Sequence, residues 1–183
     1  MKSWIDRAIL RTTKKQKWIV HGSKALMKQL PKKYHRKTDD WDLWAKQPKK
    51  ASVLMESVLE KRQKGDQFRN AKLNVGNTSK YVYRVIEKDT GKSVADFMAS
   101  PSGSGYYVVI GGIRWETLAH AKRKYKEILA NPEYRYRHEK ARGDLDRILK
   151  FENEAGTKGA VHKSTMSSVS YILDIMKHKN PSW

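Results

Sequence analysis

Two aspartates separated by one residue, Asp40 and Asp42, follow a Gly22-Ser23 pair across a basic span that contains Arg36 and Thr38. Residues i and i+2 of a strand point to the same face, about 6.5–7 Å apart at Cα. Asp40 and Asp42 are thus expected to project together into a cleft, with Trp41 and Leu43 turned into the core. Carboxylates so placed can bracket divalent cations, and magnesium suits a few carboxylates plus phosphate oxygens. In a two-metal site, ions about 3.5–4 Å apart serve the attacking oxygen and the leaving group. Asp96, in Val94-Ala95-Asp96-Phe97, is the expected third ligand, because a carboxylate inside an apolar strand is costly to bury unless it is paired or metal-bound. Gly22-Ser23 is the expected phosphate end: glycine permits close backbone approach, and a hydroxyl with amides at a helix N-terminus can hold an anion. Lys24 and Arg36 are expected to add positive charge there.

The elements that must position these residues read as follows. Ser3 to Arg11 has the spacing of a short helix. Trp18 to His21 reads as a strand, Ser23 to Leu30 as a helix ended by Pro31, and Asp39 to Trp44 as a second strand. Pro48 stands where a helix through Arg62 begins. Ala71–Val75, Tyr81–Glu87, Ser93–Met98 and Tyr106–Ile110 are strand candidates, with a hairpin turn at Lys88-Asp89-Thr90-Gly91. From Glu116 the period turns helical: one helix to Pro132, a second over Tyr134–Phe151, a linker over 154–163 and a last helix over Ser164–Lys177. No internal repeat is visible. The fold class expected is α+β, a mixed sheet with flanking helices followed by a helical C-terminal portion. Its expected division is 1–114 catalytic, 115–153 helical and packed on it, and 154–183 linker with a terminal helix.

Composition narrows the function classes. The 183 residues suffice for one domain with an appendage. Hydrophobic residues make 38% and charged residues 32%, and no apolar run approaches a membrane span, so no membrane partner is expected. With no signal-peptide core near the N-terminus, the expectation is an intracellular, cytoplasmic protein of cellular or viral origin. The absence of cysteine excludes disulfides, thiolate zinc sites and cysteine nucleophiles. The histidines lack metal-ligand spacing, no P-loop ending follows the glycines, and no base and orienter accompany His21 and Ser23. Net charge is +20, from 39 Lys+Arg against 19 Asp+Glu, which points to a polyanionic partner, nucleic acid above all. Tyr134 and Tyr136, interleaved with Arg135 and Arg137, read either as base-stacking groups or as tyrosines packing down from a basic helix start. Trp41 and Trp44 read as core and cleft-rim residues.

Taken together, the apolar strand, Gly22-Ser23, helix, Arg36-x-Thr38-x-Asp40-x-Asp42-Leu43 and later Asp96 resemble the nucleotidyltransferase-fold superfamily, which includes DNA polymerase beta and the poly(A) polymerases. The stretch Trp115 to Lys122, followed by Arg142-Gly143-Asp144-Leu145, resembles its small abortive-infection-type members, in which a helical lysine contacts the triphosphate. The resemblance covers roughly residues 17 to 150. It departs from the pattern in a long Ser23-to-Asp40 gap and in the bulky Trp41. It implies metal ligation by Asp40, Asp42 and Asp96 and nucleotide contacts from Gly22, Ser23, Lys24, Arg36, Thr38 and Lys122. Asp144 either orients Lys122 or pairs with Lys140. The implied cofactors are magnesium or manganese with a nucleoside triphosphate. The implied activity is nucleotidyl transfer to a nucleic-acid acceptor such as RNA or a tRNA 3′ end. Alternatives are transfer to a protein hydroxyl, or a non-catalytic nucleic-acid-binding or viral packaging role on the same fold.

Overall fold

The computed structural model describes residues 3–63, 65–74 and 81–159. Helix α1 (Ser3–Gln16) leads into strand β1 (Ile19–His21), helix α2 (Gly22–Gln29), a 3-10 turn at Lys32–Tyr34 and strand β2 (Trp41–Ala45). Helix α3 (Pro48–Gln63), strands β3 (Phe68–Asn74), β4 (Tyr81–Glu87), β5 (Ser93–Ala99), β6 (Tyr107–Ile110) and β7 (Ile113–Glu116) follow. Helix α4 (Leu118–Ala130), a 3-10 turn at Pro132–Arg137 and helix α5 (His138–Gly159) complete the described chain.

The strands form one mixed sheet in the order β3-β4-β5-β2-β1-β7-β6. β2 and β5 run parallel, as do β1 and β7, while the remaining neighbours are antiparallel. Alternation along the central strands sorts residues to two faces. Val20, Leu43, Phe97 and Val85 face Ile5 and Ile9 of α1 and Met55 and Leu59 of α3, forming one core. As expected, Trp41 and Leu43 belong to it. A second cluster joins Leu26 and Leu30 of α2 to Tyr125 and Ile128 of α4 and Ala141 and Ile148 of α5. Two cores back to back leave a seam, and the chemistry-bearing residues lie along it.

Three departures from the sequence reading stand out. Helix α1 runs to Gln16 rather than Arg11, because Thr12 and Thr13 are buried in place of apolar residues. It closes on Lys17, at φ +56, with the Trp18 amide donating to the Thr13 carbonyl at 3.1 Å. Strand β7 was not expected. Gly111 and Gly112, both at positive φ, make the tight hairpin that folds it onto β6. The segment 154–159, expected as linker, continues α5 despite Gly156. The expected helix over Ser164–Lys177, the rest of that linker and Val75 lie outside the described residues. The hairpin at Lys88–Gly91 forms as expected, with the Gly91 amide donating to Glu87 O at 2.9 Å.

Candidate active site

Asp42 on β2 stands directly opposite Asp96 on β5 and His21 on β1. Asp40 immediately precedes β2. One carboxylate oxygen from each of Asp40, Asp42 and Asp96 can be chosen so that all lie within 4.8 Å of one another. Sheet register thus unites carboxylates more than fifty positions apart. Thr38 Oγ1 donates to Asp40 Oδ1 at 3.0 Å, so Thr38 orients a candidate ligand. Arg84 on β4 faces Asp96 in register and donates to both its oxygens, at 2.8 and 2.6 Å, and Ser93 Oγ donates at 2.5 Å. Burial, opposed by Lys140 and reinforced by Asp40 and Asp96, pushes the Asp42 carboxyl up to about 6. Three oxygen donors whose like charges crowd one another are the donor set that a hard divalent cation relieves, so the residues fit magnesium or manganese.

Gly22 begins α2 at φ +66, and a Cβ there would overlap Asp42 Oδ2 and lie 3.2 Å from its Cγ. Its amide donates to Glu116 Oε2 at 3.0 Å. Glu116, fully buried at the end of β7, also meets Lys124 Nζ at 2.7 Å from both oxygens and His120 Nδ1 at 2.8 Å. Burial alone would raise its carboxyl, but Lys124 and the donor from His120 hold it at about 2. Glu116 therefore ties the Gly22 turn to α4. Burial, then Lys124, drives the His21 imidazole well below its ordinary 6.5, so it is neutral where it stacks on Trp44 at 4.2 Å.

Ser23 is buried, and its Oγ accepts a hydrogen bond from the Arg36 guanidinium. With that lone pair occupied, the Ser23 hydroxyl hydrogen is free to donate to an anion. Arg36 Nε donates in turn to Asp144 Oδ1 at 3.2 Å, and Asp144, fully buried, also pairs with Arg147. This corrects two expectations. Arg36 braces Ser23 against α5 instead of standing free for phosphate, and Asp144 serves Arg36 and Arg147 instead of Lys122 or Lys140.

Two more expected contacts fall elsewhere. Lys24 lies 3.9 Å from Asp6 and 4.8 Å from the centroid of the Trp41 ring, on the α1 side; Trp41 alternates with Asp42, so this is away from the carboxylates. Lys122 Nζ meets Glu152 of α5 at 2.5 Å. Two residues on, about 200° around the helix, Lys124 faces a cavity lined by His21, Gly22, Asp42, Trp44 and Met98 of the sheet portion. Arg137, Lys140 and Ala141 close its other wall, with Tyr125 and Ile128 beneath. Of the three carboxylates Asp42 lines this cavity, to which Lys124, Arg137 and Lys140 bring positive charge. Sequence reasoning missed Arg84, Glu116, Lys124, Arg137 and Lys140. The signal available for Lys124 was helical phase, since it sits three residues after buried Ala121 and four before Ile128.

This fold is similar to the crystal structure of the Megavirus polyadenylate synthase, with a TM-score of 0.60 over 82% of this chain at 17% identity. The chain has a nucleotidyltransferase-like fold. It spans 31% of that synthase, so the likeness covers under a third of the larger protein. JHP933 from Helicobacter pylori aligns over 87% of this chain and 95% of its own, at 12% identity and a TM-score of 0.39. No protein-family model matches the sequence, and no curated protein matches it significantly. Among the described residues, no helix is long and apolar enough to cross a membrane.

The carboxylate cluster gives two expected results. Arg84→Ala leaves Asp96, only 6% exposed, without its main counter-ion. The variant should lose about 1–3 kcal/mol of stability in EDTA, and magnesium should restore much of that loss; thermal melts with and without the ion measure both. The second concerns pH. Metal ligation needs ionised carboxylates, so the rise in Tm caused by magnesium should be present at pH 7.5 and shrink as pH falls through about 6. In the metal-free protein the sign reverses. The folded value of Asp42 lies above its unfolded value near 4, so its contribution to stability is present below that value and lost as pH rises through about 6. A magnesium increment unchanged down to pH 5 would remove Asp42 from the ligand set.

Proposed function

We propose that this protein is a metal-dependent nucleotidyltransferase that moves a nucleoside monophosphate from a nucleoside triphosphate to a nucleic-acid acceptor, RNA in the first instance, with release of pyrophosphate. The observation that carries the reading is the convergence of Asp40, Asp42 and Asp96 within 4.8 Å of one another, with Asp42 lining a cavity that Lys124, Arg137 and Lys140 also line. The likeness in fold to a polyadenylate synthase supports RNA as acceptor, as does the net charge of +20.

In this reading Asp40, Asp42 and Asp96 hold magnesium or manganese, which supplies charge stabilisation at the phosphoryl oxygens when bound. The Ser23 hydroxyl, set by Arg36, donates to a phosphate oxygen. Lys124, Arg137 and Lys140 bind the remaining triphosphate charge, taking the part expected of Lys122. The acceptor hydroxyl oxygen bonds to the α-phosphorus as the bond to the bridging α–β oxygen breaks. Its proton passes to a carboxylate of the cluster or to water, and pyrophosphate leaves with the electron pair. The sheet with α1, α2 and α3 is the catalytic portion, and α4 and α5 are the helical portion that closes the cavity, a boundary after β7 rather than after residue 114. A lysine of α4 facing the cavity keeps the small abortive-infection-type enzymes as the subgroup we favour.

Incubation with triphosphate labelled at the α-phosphate, magnesium and total RNA tests the reading. Label is expected in nuclease-sensitive material and is expected to vanish in Asp40→Ala/Asp42→Ala. Equal labelling by that double variant would sink the proposal, and label on nuclease-resistant protein bands would replace RNA with a protein hydroxyl as acceptor.

A further inference from the structure

We propose that Tyr136 is a stacking platform for an unpaired base at the end of a single-stranded nucleic acid. The inference rests on the nucleotidyl-transfer reading and names what its acceptor side binds. The 3-10 turn Pro132–Arg137 contains no buried residue, and Tyr136, at 63% exposure, is the most exposed large hydrophobic among the described residues. Its neighbour Tyr134 behaves differently, packing against the cluster of α2, α4 and α5. The turn is thus anchored by one tyrosine and presents the other.

The presentation is held in place. Asn131 Oδ1 accepts from the Glu133 amide at 2.9 Å, and the His138 ring meets the Asn131 carbonyl at 3.1 Å. Among the described residues no aromatic ring or cation stacks on Tyr136, and most of its surface is open to solvent. The chain leaves the turn directly into α5, whose first turn carries Lys140. Arg137 and Lys140 both line the cavity that contains Asp42. Tyr136 thus adjoins in sequence a residue of the cavity wall, and a base stacked on it would have the exposed Arg135 beside it as counter-charge for its phosphate.

Charge and chemistry favour nucleic acid over protein as the occupant. Between Asn131 and Arg142 stand Arg135, Arg137, Lys140 and Arg142, against Glu133 and Glu139. A lone aromatic among cations offers an apolar peptide no groove, but it offers a base a π-face and its phosphate a counter-charge. The base must be unpaired, because a duplex keeps its base faces in its own stack.

Fluorescence anisotropy with a labelled single-stranded oligoribonucleotide, the full chain and neither magnesium nor triphosphate tests this apart from catalysis. Tyr136→Ala should bind roughly tenfold more weakly, while Tyr136→Phe, which keeps the ring, should bind like the wild type. Removing the terminal base from the probe should weaken wild-type binding by a similar factor and cost Tyr136→Ala nothing further. Blunt duplex should not distinguish the two proteins. Equal affinity of wild type and Tyr136→Ala for the single strand would overturn the platform, as would an equal loss on blunt duplex or displacement by polyglutamate as effective as by RNA. If Tyr136-dependent binding persists while no nucleotide is transferred, the catalytic reading fails and the platform stands.

Discussion

Asp42→Asn is expected to reduce nucleotidyl transfer by roughly 10³-fold or more, because one lost ligand removes several kcal/mol of charge stabilisation. The same variant should melt no lower than the wild type in EDTA. Ionised Asp42 is crowded by Asp40 and Asp96 and pushed up to about 6 chiefly by burial, so at pH 7 its charge costs the fold stability. A neutral amide of the same shape relieves that cost. The combination of lost transfer, lost stabilisation by magnesium and an unchanged or raised Tm in EDTA separates a ligand from a merely structural aspartate. Melting curves with and without magnesium, alongside transfer assays, measure all three. A Tm lowered by several degrees in EDTA would mean that Asp42 serves packing.

Gly22→Ala is expected to be nearly as damaging, for a steric reason. The residue sits at φ +66, where a side chain costs about 1–2 kcal/mol. Its Cβ would also overlap Asp42 Oδ2, so either the turn or the carboxylate must move. A displacement of about 1 Å at a reacting centre can cost on the order of 10²-fold in rate, and transfer should fall by at least that factor. Gly91→Ala is the control. Gly91 has nearly the same backbone, φ +65, with nothing within 4 Å of the added carbon. It should lower Tm by a similar few degrees and leave transfer unchanged. Equal loss of transfer in the two variants would show that strain alone, and not the approach to Asp42, explains the glycine.

The carboxylate end of the site was legible because it depends on local rules. Alternation along β2 separates Asp42 from Trp41 and Leu43, and an aspartate between Ala95 and Phe97 needs a partner to be buried. The Gly22-Ser23 turn is legible because glycine before a helix is a backbone requirement. The cationic end was not. Lys122, Arg123 and Lys124 are equivalent in composition, and helical phase alone sets Lys124 on the face of buried Ala121 and Ile128, while the packing of α4 on α5 turns Lys122 to Glu152. Arg36 reads as free charge until the fold brings Asp144, 108 positions away, to its guanidinium. Glu116 lies where the helical period begins in the sequence; strand β7 becomes visible only once Gly111 and Gly112 have turned the chain onto β6 and the fold has paired it with β1. Long-range pairing, not propensity, supplied Arg84 and Glu116.

The central claim is that Asp40, Asp42 and Asp96 hold divalent metal against a triphosphate. The most direct measurement is anomalous scattering from crystals grown with manganese and a non-hydrolysable ATP analogue. A manganese peak is expected among the three carboxylates, with the triphosphate extending from it towards Ser23, Lys124 and Lys140. A triphosphate bound elsewhere, or manganese absent from the cluster with the analogue in place, would contradict the account.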